Sequence, residues 1–283
     1  MKKISLIAWA FCLLVLASCG KTPALPVMSY NIRYGTADDG ENSWPQRREA
    51  ACAMINEQRP AVFGVQEALE MQLEYFQEHC PDYAYVGVGR DDGIHEGEHM
   101  AVFYDTKRIE LEDWGTYWLS ETPSEPSLGW DAACRRTATW TLMKDKEAGR
   151  HFYFVNTHLD HVGKEARRLG LLLVVERIGQ MNPEGYPMIL TGDMNVYPDD
   201  PCLTQLRTLM DDARVTAPVT DTLLTYHGWG KITEAPPIDY VFYKGFASCE
   251  KFEAIREPYL GVQYISDHYP VKALFRYGRS GKK

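Results

Sequence analysis

Tyr264-Ile265-Ser266-Asp267-His268-Tyr269-Pro270 stands where one apolar run ends and the next, residues 271–275, begins. An aspartate beside a histidine is ordinary when alone. Here it has company: Tyr30-Asn31, Gln66-Glu67, Asn156-Thr157-His158 and Gly192-Asp193-Met194-Asn195 each end an apolar run, and Ile238-Asp239-Tyr240 sits just before it. Polar residues gathered at the ends of buried strands are where α/β enzymes keep their chemistry. The pattern sets a fold class and the place to look for a site.

Outward from these clusters the chain alternates. Residues 27–34 read as a strand with Asn31 near its end, and 35–43 as a Gly/Asp-rich loop. Residues 44–58 have helical spacing, with Pro45 in the first turn, Ala50, Met54 and Ile55 on one face, and Arg47, Arg48 and Glu49 elsewhere. A strand over 61–65 and a helix over 68–79 complete an α/β opening. From Tyr83 the links shorten. Strands over 83–88, 100–104, 109–114, 137–142 and 151–157 favour antiparallel pairing. Between them lie a glycine-rich loop, 90–98, and a long aromatic connection, 118–133. The clearest helix is 165–181, with Leu169, Leu172, Val175 and Ile178 at helical spacing; 188–193 is the clearest buried strand. A short helix over 202–210 and strands over 238–243 and 271–275 close the chain. No Pro/Ser-rich linker interrupts it, so 27–278 reads as one domain and 279–283 as a disordered tail.

The chain has 283 residues, 45% hydrophobic and 24% charged, with a formal charge of −9. Met1-Lys2-Lys3, an apolar run from Ile4 to Leu16 and the small residues after it form an export leader. The run is too short to span a membrane comfortably. Leu16-Ala17-Ser18-Cys19 resembles a lipobox, with Cys19 as the lipidated first residue; an ordinary cleaved signal is the alternative. Both place the protein outside the cytoplasm, and the first anchors it in the cell envelope, in the periplasm or outer membrane if the source is Gram-negative. Residues 20–26 read as a tether. Removing Lys2 and Lys3 takes the charge from −9 to −11. Such a chain suits long nucleic acid poorly, because that affinity comes from Lys and Arg. It does not exclude a phosphorylated substrate, since a bound cation can reverse a local field. Cys52, Cys80, Cys134, Cys202 and Cys249 make neither a disulfide framework nor a zinc pattern; one disulfide or five thiols both fit. A monomer is expected.

Glu67, Asp193, Asp239 and Asp267 are far apart in sequence but alike in setting. Brought together, they make an oxygen-rich site of the kind hard cations prefer. Mg2+ would use one or two of them and leave the others to orient water or a histidine. His158 and His268 are the matching imidazoles, with His161 a further candidate. A carboxylate can fix an imidazole's tautomer, and a protonated imidazole stabilises charge on a transferring phosphate.

In this order, Tyr30-Asn31-Ile32-Arg33, Gln66-Glu67, Asn156-Thr157-His158-Leu159, Gly192-Asp193-Met194-Asn195, Ile238-Asp239-Tyr240 and Ser266-Asp267-His268-Tyr269-Pro270 resemble the motifs of the endonuclease/exonuclease/phosphatase (DNase I-like) superfamily. The resemblance implies a four-layer α/β sandwich: two mixed sheets face to face, helices on both outer sides. It implies phosphoester hydrolysis with Mg2+ or Mn2+. Glu67 would be the principal metal carboxylate, with Asn31 and Asp267. Asp193, with Asn195 beside it, would orient or deprotonate the attacking water. Asp239 would hold His268, and His158 and His268 would contact the scissile phosphate. Water would attack in line without a covalent intermediate.

A fold of this kind hosts many chemistries. Arg33, Arg136 and His161 are candidates for substrate phosphate, and the loop aromatics Trp130 and Trp229 for stacking on a base or sugar. Trp118-Leu119-Ser120-Glu121-Thr122-Pro123 with Gly129-Trp130-Asp131 resembles an exported bacterial branch. The expected substrate is a small phosphorylated molecule or short phosphodiester. Alternatives are a secreted nuclease, a phospholipid or sphingomyelin diesterase, and a non-catalytic binding protein on a hydrolase fold. The diesterase lacks an aromatic hairpin for the membrane interface. The binding protein predicts lost site residues, and every matched position is occupied by a competent type.

Overall fold

The computed structural model describes residues 23–221 and 223–278. The leader, the lipobox and the 279–283 tail lie outside them. The first sheet draws on both ends of the chain. It holds β1 (Leu25–Asn31), β2 (Val62–Gln66), β3 (Tyr83–Val86) and β4 (Val102–Asp105). The second holds β5 (Ile109–Trp118), β6 (Thr137–Asp145), β7 (Arg150–His158), β8 (Met188–Asp193), the short β9 (Asp211–Asp212) and β11 (Asp239–Lys244). A short β10 (Val219–Thr220), then β12 (Ser248–Ala254) and β13 (Val271–Arg276), return to the first sheet, in the order β10-β12-β13-β1-β2-β4-β3. The second runs β5-β6-β7-β8-β11-β9. Both are mixed, with parallel β1–β2 and β7–β8 pairs among antiparallel neighbours.

Side-chain alternation builds the layers. Leu25 and Val27 of β1 face the second sheet, where they meet Phe152 and Phe154 of β7, Ile189 and Val241. Met28 and Tyr30 face outward, under α1 (Trp44–Gln58) and α2 (Glu70–His79), with Trp44, Met54 and Phe76. On β7 the opposite parity, Tyr153 and Val155, meets Leu171, Val174 and Ile178 of α3 (Lys164–Met181) and Leu206 of α4 (Leu203–Leu209). Strands buried on both faces read as continuous apolar runs, which is why β2 and β8 were legible. The result is the four-layer sandwich that the motifs implied.

Several expectations shift. The tether was expected to run through Pro26, but β1 starts at Leu25, which is fully buried and pairs with Phe275. On α3 the buried stripe is Ala166, Gly170, Leu171, Val174, Val175 and Ile178; Leu169 and Leu172 are only half-buried. β12 was missed, because only Cys249 and Phe252 of its residues are buried and a register shift between Cys249 and Lys251 breaks the alternation. The α-helix Ala213–Thr216, α5, was missed too, being a single turn. All five cysteines in the described residues are free.

Arg47 departs furthest from expectation. It was placed away from the buried face of α1, yet it is 1% exposed. It donates to the carbonyls of Ile32 (2.6 Å), Arg33 (2.9 Å), Asn42 (3.0 Å) and Ile265 (3.1 Å). A guanidinium offers five donors in a rigid fork, and here they tie two loops of distant sequence to one helix. The first loop follows directly on Asn31 and the second carries Asp267.

Toward the same end the interlayer turns polar. Asn156 on β7 donates across to the carbonyls of Val65 (2.8 Å) and Ala101 (3.1 Å). Its oxygen accepts from Gln66 Nε2 (2.6 Å) and Thr191 Oγ1 (3.1 Å). Gly64 makes room: a Cβ there would lie 2.4 Å from the Asn156 amide carbon. Asn156 and Gln66 are therefore a bolt between the sheets rather than members of the site their neighbours form.

Candidate active site

The pairing registers align the functional residues. Asn31 is the last residue of β1 and sits beside Gln66, the last of β2, with Glu67 next. His158 ends β7 and pairs with Asp193, the end of β8; Asp193 pairs in turn with Asp239, the first residue of antiparallel β11. Asp267 and His268 precede β13. Parallel strands put their C-termini on one edge, and antiparallel partners bring their N-termini to it. Asp239, Asp267 and His268 thus come from strand starts, not strand ends.

Glu67, His158, Asp193, Asp267 and His268 line one cavity of about 400 Å3 with Arg33, Tyr34, Arg90, Glu98 and Tyr226, and Asn31 and Asp239 support it from behind through Asp193 and His268. Asp193 is its centre. Its Oδ2 lies 3.1 Å from Asn31 Nδ2, 3.5 Å from His158 Nε2 and 3.7 Å from His268 Nε2. Its Oδ1 accepts from the Asn195 backbone N–H at 2.9 Å. His268 Nδ1 bonds Asp239 at 2.8 Å. Asn195 Nδ2 donates to Leu159 O and to His158 Nε2, both at 2.9 Å. The carbonyl fixes the amide's orientation, so His158 Nε2 is the acceptor and its hydrogen sits on Nδ1, which has no partner. Arg33, Glu67 and Asn195 hold φ of 57°, 60° and 51°, left-handed backbone that non-glycine residues adopt at a cost of about 1–3 kcal/mol.

Charge is distributed unevenly. Burial lifts the Asp193 carboxyl to about 7, with the nearby Asp239 and Glu67 adding to the rise and His268 opposing it. Burial and Glu67 likewise raise Asp267 against the pull of His268 and Arg33. His268 goes up to about 10: burial works against its charge, but Asp239, Asp193 and Asp267 outweigh it. His158 is driven well below the usual imidazole range by burial and then by Arg136 and Arg90. One imidazole is therefore charged and the other neutral.

The acids fit a divalent cation. Asn31 Nδ2 bridges Glu67 Oε1 (3.0 Å) and Asp193, while its oxygen accepts from Arg33 N (3.0 Å). Asn31 so spaces the two carboxylates. Arg33, held by Asp39 (2.9 Å), also approaches Glu67 (3.9 Å) and Asp267 (3.8 Å). Carboxyls crowded enough to resist ionisation gain most from a hard cation with oxygen ligands. Asp193, Asp239 and His268 also lie within ligating distance of one another. The 2.8 Å His268–Asp239 bond makes those two an oriented acid–imidazole pair, which leaves Glu67 and Asp267 as the carboxylates that could hold a cation.

Of the remaining candidates, Arg33, Arg136 and His161 line the cavity. Trp229 lines an adjoining one of about 340 Å3 that shares Arg33, Tyr226 and Asp267. Trp130 lines neither, and its backbone N–H meets Glu121 at 3.4 Å. Arg90 and Glu98, the two ends of the glycine-rich loop, join the cavity although the sequence does not single them out. They pair at 2.7 Å and close the glycine-rich loop over the cavity. Opposite charges at the two ends of that loop were the available signal.

A profile described as the Endonuclease/Exonuclease/phosphatase family matches residues 28–268. A solved mannosyl-6-phosphatase of Bacteroides thetaiotaomicron is 33% identical, with a TM-score of 0.86, covering 89% of this chain and 100% of that one. An endonuclease/exonuclease/phosphatase family protein from the same organism is 32% identical, with a TM-score of 0.86 and coverage of 91% and 99%. An uncharacterized protein of Acanthamoeba polyphaga mimivirus, L388, is 27% identical over 249 residues, 82% of this chain and 92% of that protein.

Proposed function

The chain belongs to the Endonuclease/Exonuclease/phosphatase family, and from that premise we propose a divalent-metal-dependent phosphoesterase whose substrate is a small phosphorylated molecule, a sugar phosphate first among them. The observation that carries this is the meeting of Glu67, Asp267, Asp193, His158 and His268 in one cavity. The sugar phosphate rests on the likeness to the mannosyl-6-phosphatase.

Each residue has a task. Glu67 and Asp267, spaced with the help of Asn31, would hold Mg2+ or Mn2+, which when bound supplies Lewis-acid neutralisation of a phosphoryl oxygen. Asp193 orients the attacking water and takes its proton; a carboxyl lifted to about 7 is matched to that work near neutral pH. His268, kept charged by Asp239, donates Nε2–H to a phosphoryl oxygen. His158 stays neutral and offers Nδ1–H, because Asn195 occupies its other nitrogen. These donors meet the charge that builds up in the transition state.

The test is a panel of hexose phosphates, mononucleotides, lipid head-group esters and duplex DNA, each with Mg2+, Mn2+ or chelator. Hexose phosphates should lead, and chelator should abolish turnover. A strong preference for long duplex DNA, or full activity in chelator, sinks the reading.

For location, we propose export and lipid anchoring through Cys19, resting on the leader and lipobox residues. Mass spectrometry should find a lipidated Cys19 as first residue, and C19A should leave the membrane fraction; an intact leader on mature protein counts against both.

A further inference from the structure

One side of the cavity is built of cations that the mechanism does not use. Arg136 stands at the mouth of β6, 5% exposed. Its Nε donates to Asp160 at 3.3 Å and its Nη2 to His161 Nδ1 at 2.9 Å. Its Nη1 has no partner. Asp160 is a strong anchor. Burial opposes its charge, but the backbone N–H groups of Gly163, Val162 and Ala133, together with Arg136, hold it down to about 2. Because His161 Nδ1 accepts from Arg136, its hydrogen lies on Nε2. Arg90 joins them, braced by Glu98 at 2.7 Å, with its own Nε unpartnered. Both guanidiniums bear on His158, whose charged form they suppress.

Cys134, Asp160 and His161 lie close enough to suggest a second metal. The guanidinium bonded to both Asp160 and His161 already supplies the cation there, so this wall is made to meet an anion.

Resting on the phosphoesterase reading, we propose that Arg136, Arg90 and His161 take the terminal oxygens of a phosphomonoester dianion, and that this wall selects monoesters over diesters. A phosphomonoester carries about two negative charges near pH 7, against one for a diester. It also presents three non-bridging oxygens, where a diester presents two and a second organic substituent. His268, with a cation that Glu67 and Asp267 would hold, would take part of the phosphoryl group, and the remaining oxygen would face the wall. A diester would set its substituent against buried, unpartnered donors, which are costly to leave unsatisfied. The organic end has room elsewhere: the cavity continues past Arg33 and Tyr226 into the space lined by Trp229, Gly228 and Lys231. No member of the Arg136 wall lines that space.

The test compares an aryl phosphate monoester with the matching diaryl diester, using wild type, R136M, R136K and R90M, and follows orthophosphate binding by calorimetry with and without Mg2+. Wild type should favour the monoester by at least about ten-fold in kcat/KM. R136M should lose about 10²-fold on the monoester, with a loss on the diester at least about ten-fold smaller, since a charge-assisted bond to phosphate contributes on that order. Orthophosphate binding should weaken at least about ten-fold, R136K should recover part of it, and R90M, which leaves the Arg136–Asp160 pair intact, should show the same selectivity. An active chain that prefers the diester, or whose variants lose both esters alike, overturns the wall. A wild type inactive on both esters overturns the phosphoesterase reading, and the wall falls with it.

Discussion

His158 and His268 flank one carboxylate and end in opposite charge states, because their second neighbours differ. His268 has Asp239 behind it, whereas His158 has Asn195 beside it and two guanidiniums in range. In metal-free protein, imidazole NMR should therefore show His268 protonated from pH 5 past pH 8, titrating toward about 10, and His158 neutral throughout. His227, buried between Tyr264 and Tyr269, should stay neutral down to about 4. A His268 resonance titrating near 6.5 would remove the charged donor. The linkage sign follows. A folded value raised above the unfolded one stabilises fully below about 6.5 and loses that stabilisation as pH rises through about 10. The Tm gap between wild type and H268Q should therefore shrink from pH 7 to pH 10. For catalysis, D193A or H268A should cost at least 10²-fold in kcat/KM and leave the circular dichroism unchanged; a variant keeping more than about a tenth of activity denies that residue its role. These residues were legible because each sits beside an apolar run. Arg47, Arg90 and Asp160 were not, since nothing local distinguishes an arginine that ties loops or faces a substrate from one solvated at the surface.

At the scale of elements, β2, β8 and α1 were readable because burial on both faces, or a regular stripe, writes itself into composition. β12 was not, because it lies near the sheet's edge, between β10 and β13, with a register shift in it. The task of Asn156 was not legible for another reason: a strand residue's sequence position does not say which sheet its side chain crosses to. Its amide closes three hydrogen bonds across to the first sheet and a fourth to Thr191 of its own, just below the site. N156A should take one partner each from the Val65 and Ala101 carbonyls and from the Gln66 amide, which keeps Ser29, at a cost of about 1–3 kcal/mol, read as a lower denaturant midpoint with unchanged slope. G64A forces a methyl into the same bolt and should cost about 1–3 kcal/mol or more. If both variants unfold like wild type, the sheets are held by their apolar interlayer alone.

For the whole molecule, the argument turns on where an acidic chain concentrates its charge. The formal charge is −9, and four carboxylates meet at one edge of the sandwich. Two of them, Asp193 and Asp267, are held above their usual range by burial and by one another's neighbours. That arrangement carries a penalty in the folded state that the unfolded chain, with its acids apart in water, does not. A divalent ion bound by Glu67 and Asp267 removes it, and mass action turns the gain into stability: about 2.7 kcal/mol at a hundred times Kd. For a domain of this size that is a rise in Tm of roughly 5–10 °C. Monovalent salt at equal ionic strength screens exposed charges but barely reaches a buried group, so NaCl should give a much smaller shift. E67Q and D267N should each lose most of the Mg2+ response while keeping the NaCl response, because they remove ligands rather than the fold. The measurement is thermal unfolding of chelator-treated protein against Mg2+ and against matched NaCl. Equal curves in both would mean that the crowded acids are neutralised by Arg33 and the histidines alone, and that the site has no place for the ion its chemistry requires.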